Sequence, residues 1–441
     1  MIQSLQEWKV KNNRKPLIIR GARQVGKTTV VNLFAKNFKH YIYLNLDNIR
    51  DREIFSQEFS IDELLRAISI FKKTDIIPDN TLLFIDEIQN SPIAIRMLRY
   101  FYEQRKDIFV ISAGSLLEVT LSEKKVSFPV GRVEYMYLYP LTFSEFLMAK
   151  RENELLSVLD EIPVRSIYTS SFNHYFQTFV LIGGMPEIVL RHIEEDQINV
   201  LNSTFESLLS TYIDDSAKYA KNSTQRSILL HCLESLPFEV GNRIKFQYFG
   251  KSNYRSREIS EALRTLERAM LVYLIYPTTH VSMPLMEDKK KSPKLQFLDT
   301  GMLNYYLGIQ SDLALYSNLH AVYRGITAEH IVRQELHAQN LFTNRKLPFW
   351  VREQKQSNSE IDFLFPFEGM LIPIEVKSGK TGTLKSLHQF INRSSEKFAV
   401  RIYSGQFEIL DTETPEGKPY RLMNLPFFLI GKINKYLKKY I

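Results

Sequence analysis

The chain has 441 residues, an apolar share of 44% and a formal net charge of +8, with a sequence pI near 9.1. That length exceeds what one ordinary core sustains, so two to four domains are expected. The single cysteine, Cys232, excludes an intramolecular disulfide and a cysteine zinc cluster, and a reducing cytoplasm is the expected setting.

The basic excess is mild. It admits a nucleic-acid partner and equally serves solubility. No stretch reaches the roughly 20 apolar residues a membrane span needs. Ile2, Leu5 and Trp8 are spaced as one face of a short helix rather than as a secretory signal. No membrane partner is expected.

Strands are predicted at 17–20, 41–46, 81–85, 108–112 and 134–139, with helical patterns between them. Such alternation implies a parallel sheet covered by helices on both faces. From 150 to 220 helical periods dominate, interrupted at Gly183-Gly184-Met185-Pro186. Residues 223–276 form a small helical unit ending in a strand, Leu271 to Tyr276, and Glu287 to Ser292 reads as a hairpin tip or a linker. Beyond 293 a helix is predicted at 323–339, strands at 349–352, 360–366 and 371–377, a helix near 383–392, and a strand pair around 398–410. The tail Phe427-Phe428-Leu429-Ile430, with Lys432, Lys435, Lys438 and Lys439, suits a helix packed on its own domain better than one lying on a membrane surface.

Gly21-Ala22-Arg23-Gln24-Val25-Gly26-Lys27-Thr28 is a complete G-x-x-x-x-G-K-T loop, set between the first strand and a helix that begins near Thr29. Gly21 and Gly26 permit the tight turn that aims successive N–H groups at phosphates. Lys27 is suited to the β/γ-phosphates and the Thr28 hydroxyl to Mg²⁺. ATP and Mg²⁺ are therefore the expected ligands. Leu82-Leu83-Phe84-Ile85 ends in Asp86-Glu87, which supplies a metal carboxylate and a general base for the attacking water. At the end of the next strand, Ser112 and Ser115 are available. Ser115 is the choice for contact with the γ-phosphate or water, with a helix N-cap as the competing role. Arg132 fits either charge neutralisation on a neighbouring subunit's nucleotide or a surface ion pair.

The segments GARQVGKTT, LLFIDEIQ, VISAGSLLE, FPVGRVEYMYLYPLTFSEFL, GGMPE, KLQFLDTGML and IPIEVKSG together resemble bacterial and archaeal AAA-superfamily ATPases that carry a C-terminal domain of unknown function. The resemblance covers nearly the whole chain. It implies an AAA-type P-loop ATPase core of the additional-strand type at 1–149 and a helical lid at 150–220. A winged-helix unit would follow at 221–292 and a restriction-endonuclease-like α/β domain at 293–441. Arg191 is a weak choice for a second sensor arginine.

In the middle unit, Ile259, Ala262, Leu263, Leu266 and Met270 form a helix-period apolar stripe. Arg255, Arg257, Arg264 and Arg268 occupy the other faces, with Lys245 and Lys251 just upstream. The order of helix, turn, basic helix and strand suits a winged helix that contacts DNA. Glu258, Glu261 and Glu267 interleave with the arginines, so an ordinary salt-bridged surface stays open. In the last unit, Asp362 and Glu375-x-Lys377 on adjoining strands resemble the D…E-x-K core of restriction-endonuclease-like nucleases. Two carboxylates sharing Mg²⁺, with a lysine on the same face, would serve phosphodiester hydrolysis. Glu329 is the choice for a helix acid, Glu335 a lesser one, and Gln389 a supporting group.

The leading expectation is an ATP-hydrolysing AAA-type protein that couples nucleotide state to a DNA-directed C-terminal half. DNA and further copies of this chain are its expected partners, and cleavage by the C-terminal site stays open. The alternative is an ATP-gated protein-interaction switch that neither cuts nor remodels DNA. A protein-remodelling ATPase ranks below both, because the core shows no aromatic pore loop.

Overall fold

A computed structural model describes residues 1–57, 59–114, 129–220, 222–310, 326–352, 359–379 and 383–441. The chain divides into two compact units. One comprises Met1–Tyr139 with Arg268–Met270 and Asn340–Asn344, and the other contains the remaining segments.

The first unit is built on strands β1 (Leu17–Arg20), β2 (His40–Asn45), β3 (Thr81–Asp86), β4 (Phe109–Ala113) and β5 (Glu134–Tyr137). All pair in parallel, in the order β2-β3-β4-β1-β5. Placing β4 between the loop-bearing β1 and the acid-bearing β3 is the additional-strand arrangement expected from the resemblance. β3 and β4 are buried along their whole length, which is why they read as unbroken apolar runs.

Helices α1 (Ile2–Val10), α2 (Lys27–Ala35), α3 (Ile49–Glu53), α4 (Ile61–Lys72) and α5 (Pro92–Gln104) complete this unit. Alternate strand residues feed two separate cores, as side chains alternate across a sheet. Leu17, Ile19, Leu82 and Phe84 pack with Trp8 and Phe34 of α1 and α2. Ile18, Leu83, Ile85 and Val110 pack with Leu64, Ile68, Leu98 and Phe101 of α4 and α5. Ser60 closes a capping box with Glu63 at the start of α4, and Ser91 caps α5 ahead of Pro92.

The second unit opens with helices α6 (Phe143–Ala149), α7 (Asn153–Leu159), α8 (Thr169–Ile182), α9 (Pro186–Glu195), α10 (Asn202–Tyr219), α11 (Ser223–Glu239) and α12, which runs from Ser256 to Arg268. β6 (Val272–Ile275) pairs antiparallel with β8 (Lys294–Phe297), and β7 (Pro277–Thr278) lies between them in sequence. Next come α13 (Thr300–Tyr306), α14 (Ile326–Ala338), β9 (Phe349–Val351), β10 (Glu360–Ile361), β11 (Phe363–Phe367) and β12 (Met370–Val376). The chain ends through α15 (Lys385–Arg393), β13 (Phe398–Tyr403), β14 (Glu408–Glu413), β15 (Pro419–Pro426) and α16 (Ile433–Tyr440).

The expected strand pair around 398–410 is corrected. β13 and β14 share a sheet ordered β11-β12-β13-β15-β14, but β15 lies between them. β15 escaped notice because prolines bound it and Arg421 and Asn424 break its apolar pattern. Both acquire partners in the fold, Arg421 from Asp411 at 2.8 Å and Asn424 from Glu408 at 3.3 Å.

Two sequence motifs turn out to be halves of one joint. The Asp299 carboxylate accepts the Gly184 N–H at 2.7 Å and caps α13 through the Met302 N–H at 3.0 Å. A Cβ at Gly301 would lie 1.9 Å from the Ile182 carbonyl oxygen, and Gly183 sits at φ 76°. Only glycines allow this approach.

At the chain's end, Phe427, Phe428, Leu429 and Ile430 are buried, as are Ile433, Tyr436 and Leu437 of α16. Lys432 and Lys435 both reach Asp160, at 2.7 and 2.6 Å. The basic apolar tail is thus packed on its own unit. Among the described residues, no helix is long and apolar enough to cross a membrane.

Candidate functional site

The phosphate loop leaves the end of β1 and turns sharply. A Cβ at Gly21 would fall 2.4 Å from the Leu138 carbonyl oxygen, so no larger residue fits there. Gln24 adopts φ 61°. Gly26 sits at φ 94°, ψ 22° as the N-cap of α2, a conformation that glycine adopts without strain. This backbone presents the first N–H groups of α2, together with its positive end, to whatever occupies the loop. Ala22 and Val25 are buried, Arg23 is half-buried, and Gln24 and Thr29 are exposed.

Lys27 is 7% exposed. Its Nζ donates to the carbonyl oxygens of Ala22 at 2.7 Å and Gly21 at 3.1 Å. Burial pushes its pKa down to about 8 against the opposing pull of Glu87 and Asp86. The ammonium is thus held by neutral carbonyls with carboxylates nearby, a setting that an incoming polyanion would improve.

The Thr28 hydroxyl donates to Asp86 Oδ2 at 2.6 Å, and the Tyr43 hydroxyl approaches the same oxygen at 3.3 Å. Thr28 and Asp86, predicted as metal ligands 58 residues apart in sequence, therefore stand side by side. A hydroxyl and a carboxylate oxygen in contact are the hard donors a magnesium ion takes, so the residues fit Mg²⁺.

Glu87 occupies the left-handed region at φ 51°, ψ 43°, uncommon for a residue with a side chain. Its Oε2 accepts from Gln89 Nε2 at 2.5 Å. Gln89 is itself buried, and its Oε1 has no hydrogen-bond partner among the described residues. A Cβ on Gly114, just past β4, would lie 2.2 Å from that oxygen.

Gln89 and Tyr43 were missed at the level of sequence. Gln89 was within reach, two residues past Glu87 in the same turn. Tyr43 was not, because its proximity follows from β2 pairing with β3 in the register Tyr43↔Phe84.

Ser112 is buried within the sheet, its hydroxyl 3.4 Å from the Leu17 carbonyl oxygen. Ser115 lies outside the described residues. Arg132 is ion-paired with Glu103 at 2.9 Å, and Arg191 with Glu195 at 2.8 Å.

In the second unit, the acids predicted for a nuclease-like site gather around β8, β10, β12 and α14. Lys294 Nζ stands 2.9 Å from both oxygens of Glu329 and 2.5 Å from Glu360 Oε1. Arg333 meets Glu329 at 3.3 Å, Arg243 meets Glu360 at 2.8 Å, and Lys377 meets Glu375 at 2.6 Å. Asp362 Oδ2 accepts the Val376 N–H at 2.7 Å.

Lost hydration, then Glu375 and Glu329, hold the Asp362 carboxyl well above the usual range, although the residue as a whole is half-buried. Burial pulls Lys294 down, but Glu329, Glu360 and Asp362 outweigh it and leave the ammonium above its ordinary value. Among the described residues, no group of three or more His, Cys, Asp or Glu side chains is arranged to hold a metal ion.

Glu335, the lesser choice for the helix acid, is engaged by a backbone group. Its carboxylate accepts the Phe143 N–H at 2.8 Å, and burial raises its pKa to about 8. Gln389 is half-buried on α15.

On α12, Ile259, Ala262, Leu263 and Leu266 face the core, while Arg255, Arg257, Arg264 and Arg268 are exposed. Two of the interleaved glutamates are engaged elsewhere. Glu267 takes Lys346 at 2.5 Å and the Leu274 N–H at 2.7 Å, and Glu258 takes the Arg255 backbone N–H at 3.0 Å.

A glycine-cornered loop opening α2, an acid at the end of β3 and β4 between them define the first unit as a P-loop nucleotide-binding core. Residues 13–147 match the family model of an AAA domain, so this core is of the AAA ATPase type. Residues 173–313 and 324–415 match two domains of unknown function, DUF8612 and DUF4143. An uncharacterized protein of Methanocaldococcus jannaschii is 22% identical over 409 residues, 86% of this chain and 80% of that protein. An uncharacterized protein of Haemophilus influenzae is 23% identical over 276 residues, 58% of this chain and 61% of its own length. Among solved structures, the Walker-type ATPase of Pyrococcus abyssi aligns with a TM-score of 0.44 at 15% identity, covering 69% of this chain and 94% of that one.

Proposed function

We propose that this chain binds and hydrolyses ATP and uses its nucleotide state to set the grip of the α12 arginine face on DNA. The observation that carries the reading is the convergence of Lys27, Thr28, Asp86 and Glu87 at the mouth of the phosphate loop. Lys27 would leave the carbonyls of Ala22 and Gly21 for the β/γ-phosphates. Thr28 and Asp86 would hold Mg²⁺, which when bound neutralises charge on the phosphates. Glu87 takes a proton from the attacking water, and Gln89 fixes where its carboxylate points.

The helices at 150–220 act as the lid, Arg132 completes the site of a second copy, and residues 221–292 serve as the winged helix. What supports the DNA contact is the exposure of four arginines whose neighbouring glutamates Glu258 and Glu267 are occupied by other groups. On this reading the segment 293–441 is the restriction-endonuclease-like domain.

Glu87→Gln should retain ATP binding and lose turnover by roughly 10²–10⁴-fold, the range for a general base; unchanged turnover would sink the hydrolytic assignment. Arg257→Glu with Arg264→Glu should weaken duplex DNA binding and flatten its salt dependence. DNA binding that ignores both the charge reversal and added nucleotide would favour the protein-interaction switch instead.

A further inference from the structure

The C-terminal acids stand in the strand order that suits a metal-dependent nuclease, but the ion pairs at the site do not suit a metal. An ammonium has three donors. Those of Lys294 are matched by three carboxylate oxygens, both of Glu329 and one of Glu360, at 2.5–2.9 Å. Lys294 is 6% exposed, so water does not compete for it.

Four carboxylates, Glu329, Glu360, Asp362 and Glu375, stand together with four cations, Lys294, Arg333, Arg243 and Lys377. A divalent ion would need negative charge and open lone pairs, and Lys294 has taken the oxygens of Glu329 that it would use. Glu375 Oε2 alone among these carboxylate oxygens is buried without a hydrogen-bond partner among the described residues.

We infer that the Lys294 ammonium is the resident cation of this cluster, standing where a nuclease would hold its metal. The site as folded is then an ionic joint. Lys294 belongs to β8, which pairs with the strand following α12 and bridges to Arg243. Its acids come from α14 and the β10–β12 region. The joint ties the DNA-directed helix unit to the nuclease-like sheet, and it does so with the charges that cleavage chemistry would need.

The test uses the nucleotide-free full-length chain carrying Asp86→Asn, so that the phosphate-loop acid contributes no metal site, and Mn²⁺ as the probe, followed by electron paramagnetic resonance. The Lys294 protein should show no bound Mn²⁺ that depends on Asp362. Lys294→Met should gain one bound Mn²⁺, at least tenfold tighter than any background site, and Asp362→Asn should remove it.

Because Lys294→Met leaves like charges facing one another, Lys294→Met with Glu360→Gln provides a second variant with less repulsion. It should also gain the ion, with a rise in Tm on adding Mn²⁺ that the Lys294 protein lacks. Asp362-dependent Mn²⁺ binding with Lys294 in place would overturn the inference, as would folded Lys294 variants that bind no Mn²⁺. If neither variant folds, Asp362 dependence in the Lys294 protein decides alone: its presence overturns the inference and its absence supports it.

Discussion

Each half of the molecule buries a lysine beside two acids, and the two lysines are in opposite electrostatic situations. Lys27 lies against neutral carbonyl oxygens, with Asp86 engaged by the Thr28 hydroxyl. Lys294 is enclosed by carboxylate oxygens of Glu329 and Glu360. Burial depresses the pKa of the first, while carboxylates lift that of the second. A cation short of negative partners is ready for an anion, and one with all three donors matched has nothing left to offer. The same residue types, lysine and paired acids, thus make a binding site in one unit and an internal joint in the other. The partners of the lysine decide which.

The largest effects expected from this contrast have opposite signs. Lys294→Met removes the cation from a buried acid cluster and should lower unfolding free energy by about 3–5 kcal/mol, the usual cost of breaking a buried pair. Lys27→Met should instead stabilise the nucleotide-free protein, by at most roughly 3 kcal/mol near neutral pH.

The sign for Lys27 follows from its folded pKa, about 8, lying below the 10.5 of the unfolded chain. Below pH 8 the native state carries a penalised charge. Between pH 8 and 10.5 the unfolded chain retains a proton that the native state has released, so wild-type stability rises and the gap to Lys27→Met closes. Adding ATP should reverse the ranking, because only the wild type gains from binding. Denaturant melts of both variants from pH 7 to 10.5 check this, and destabilisation by Lys27→Met without nucleotide would break the contrast.

The P-loop half of this picture was legible in the sequence, and much of the other half was not. G-x-x-x-x-G-K-T specifies backbone geometry locally, and Thr28 meets Asp86 across a sheet in which β4 lies between their strands, the order the resemblance implied. The role of Glu87 as base could be written down, but its left-handed backbone and its bond to Gln89 belong to a turn no spacing rule describes.

In the second unit the motif residues Glu329, Asp362, Glu375 and Lys377 were read and do gather. Lys294 opens the segment KLQFLDTGML but carried no predicted role, since the acid it meets, Glu329, is 35 residues away on another element. Charge partners contributed by other elements decide the chemistry of such a site, and periodicity does not report them. The backbone N–H that Glu335 accepts was equally beyond reach, since Phe143 is 192 residues away.

Glu335 sharpens the comparison as a buried acid that accepts a backbone N–H and whose loss of hydration outweighs the pull of Lys432. Its folded pKa, about 8, lies above the unfolded 4.5. The native state therefore holds a proton that the unfolded chain releases, and this contribution to stability declines as pH rises from 4.5 through 8. Glu335→Gln keeps an acceptor for the Phe143 N–H and carries no charge. It should match the wild type near pH 4.5 and exceed it above pH 8 by at most roughly 5 kcal/mol. Parallel melting curves for the two proteins across that range would show the pathway of decline in the wild type alone. Identical pH profiles would mean that Glu335 ionises without penalty.

The smallest stability effect belongs to Arg132, and its smallness makes it useful. Its pair with Glu103 is exposed, with Arg132 at 43% and Glu103 already shared with Arg99. Arg132→Ala should therefore cost under about 1 kcal/mol. A fall in ATP turnover of tenfold or more at unchanged Tm would then have to come from chemistry rather than from folding. Mixing Arg132→Ala with Glu87→Gln distinguishes a shared site from a self-contained one. If Arg132 serves a neighbour, a Glu87→Gln subunit can lend its arginine to the intact Glu87 of an Arg132→Ala subunit, and turnover recovers on mixing. Turnover that stays at the sum of the separate proteins would confine Arg132 to its surface pair with Glu103.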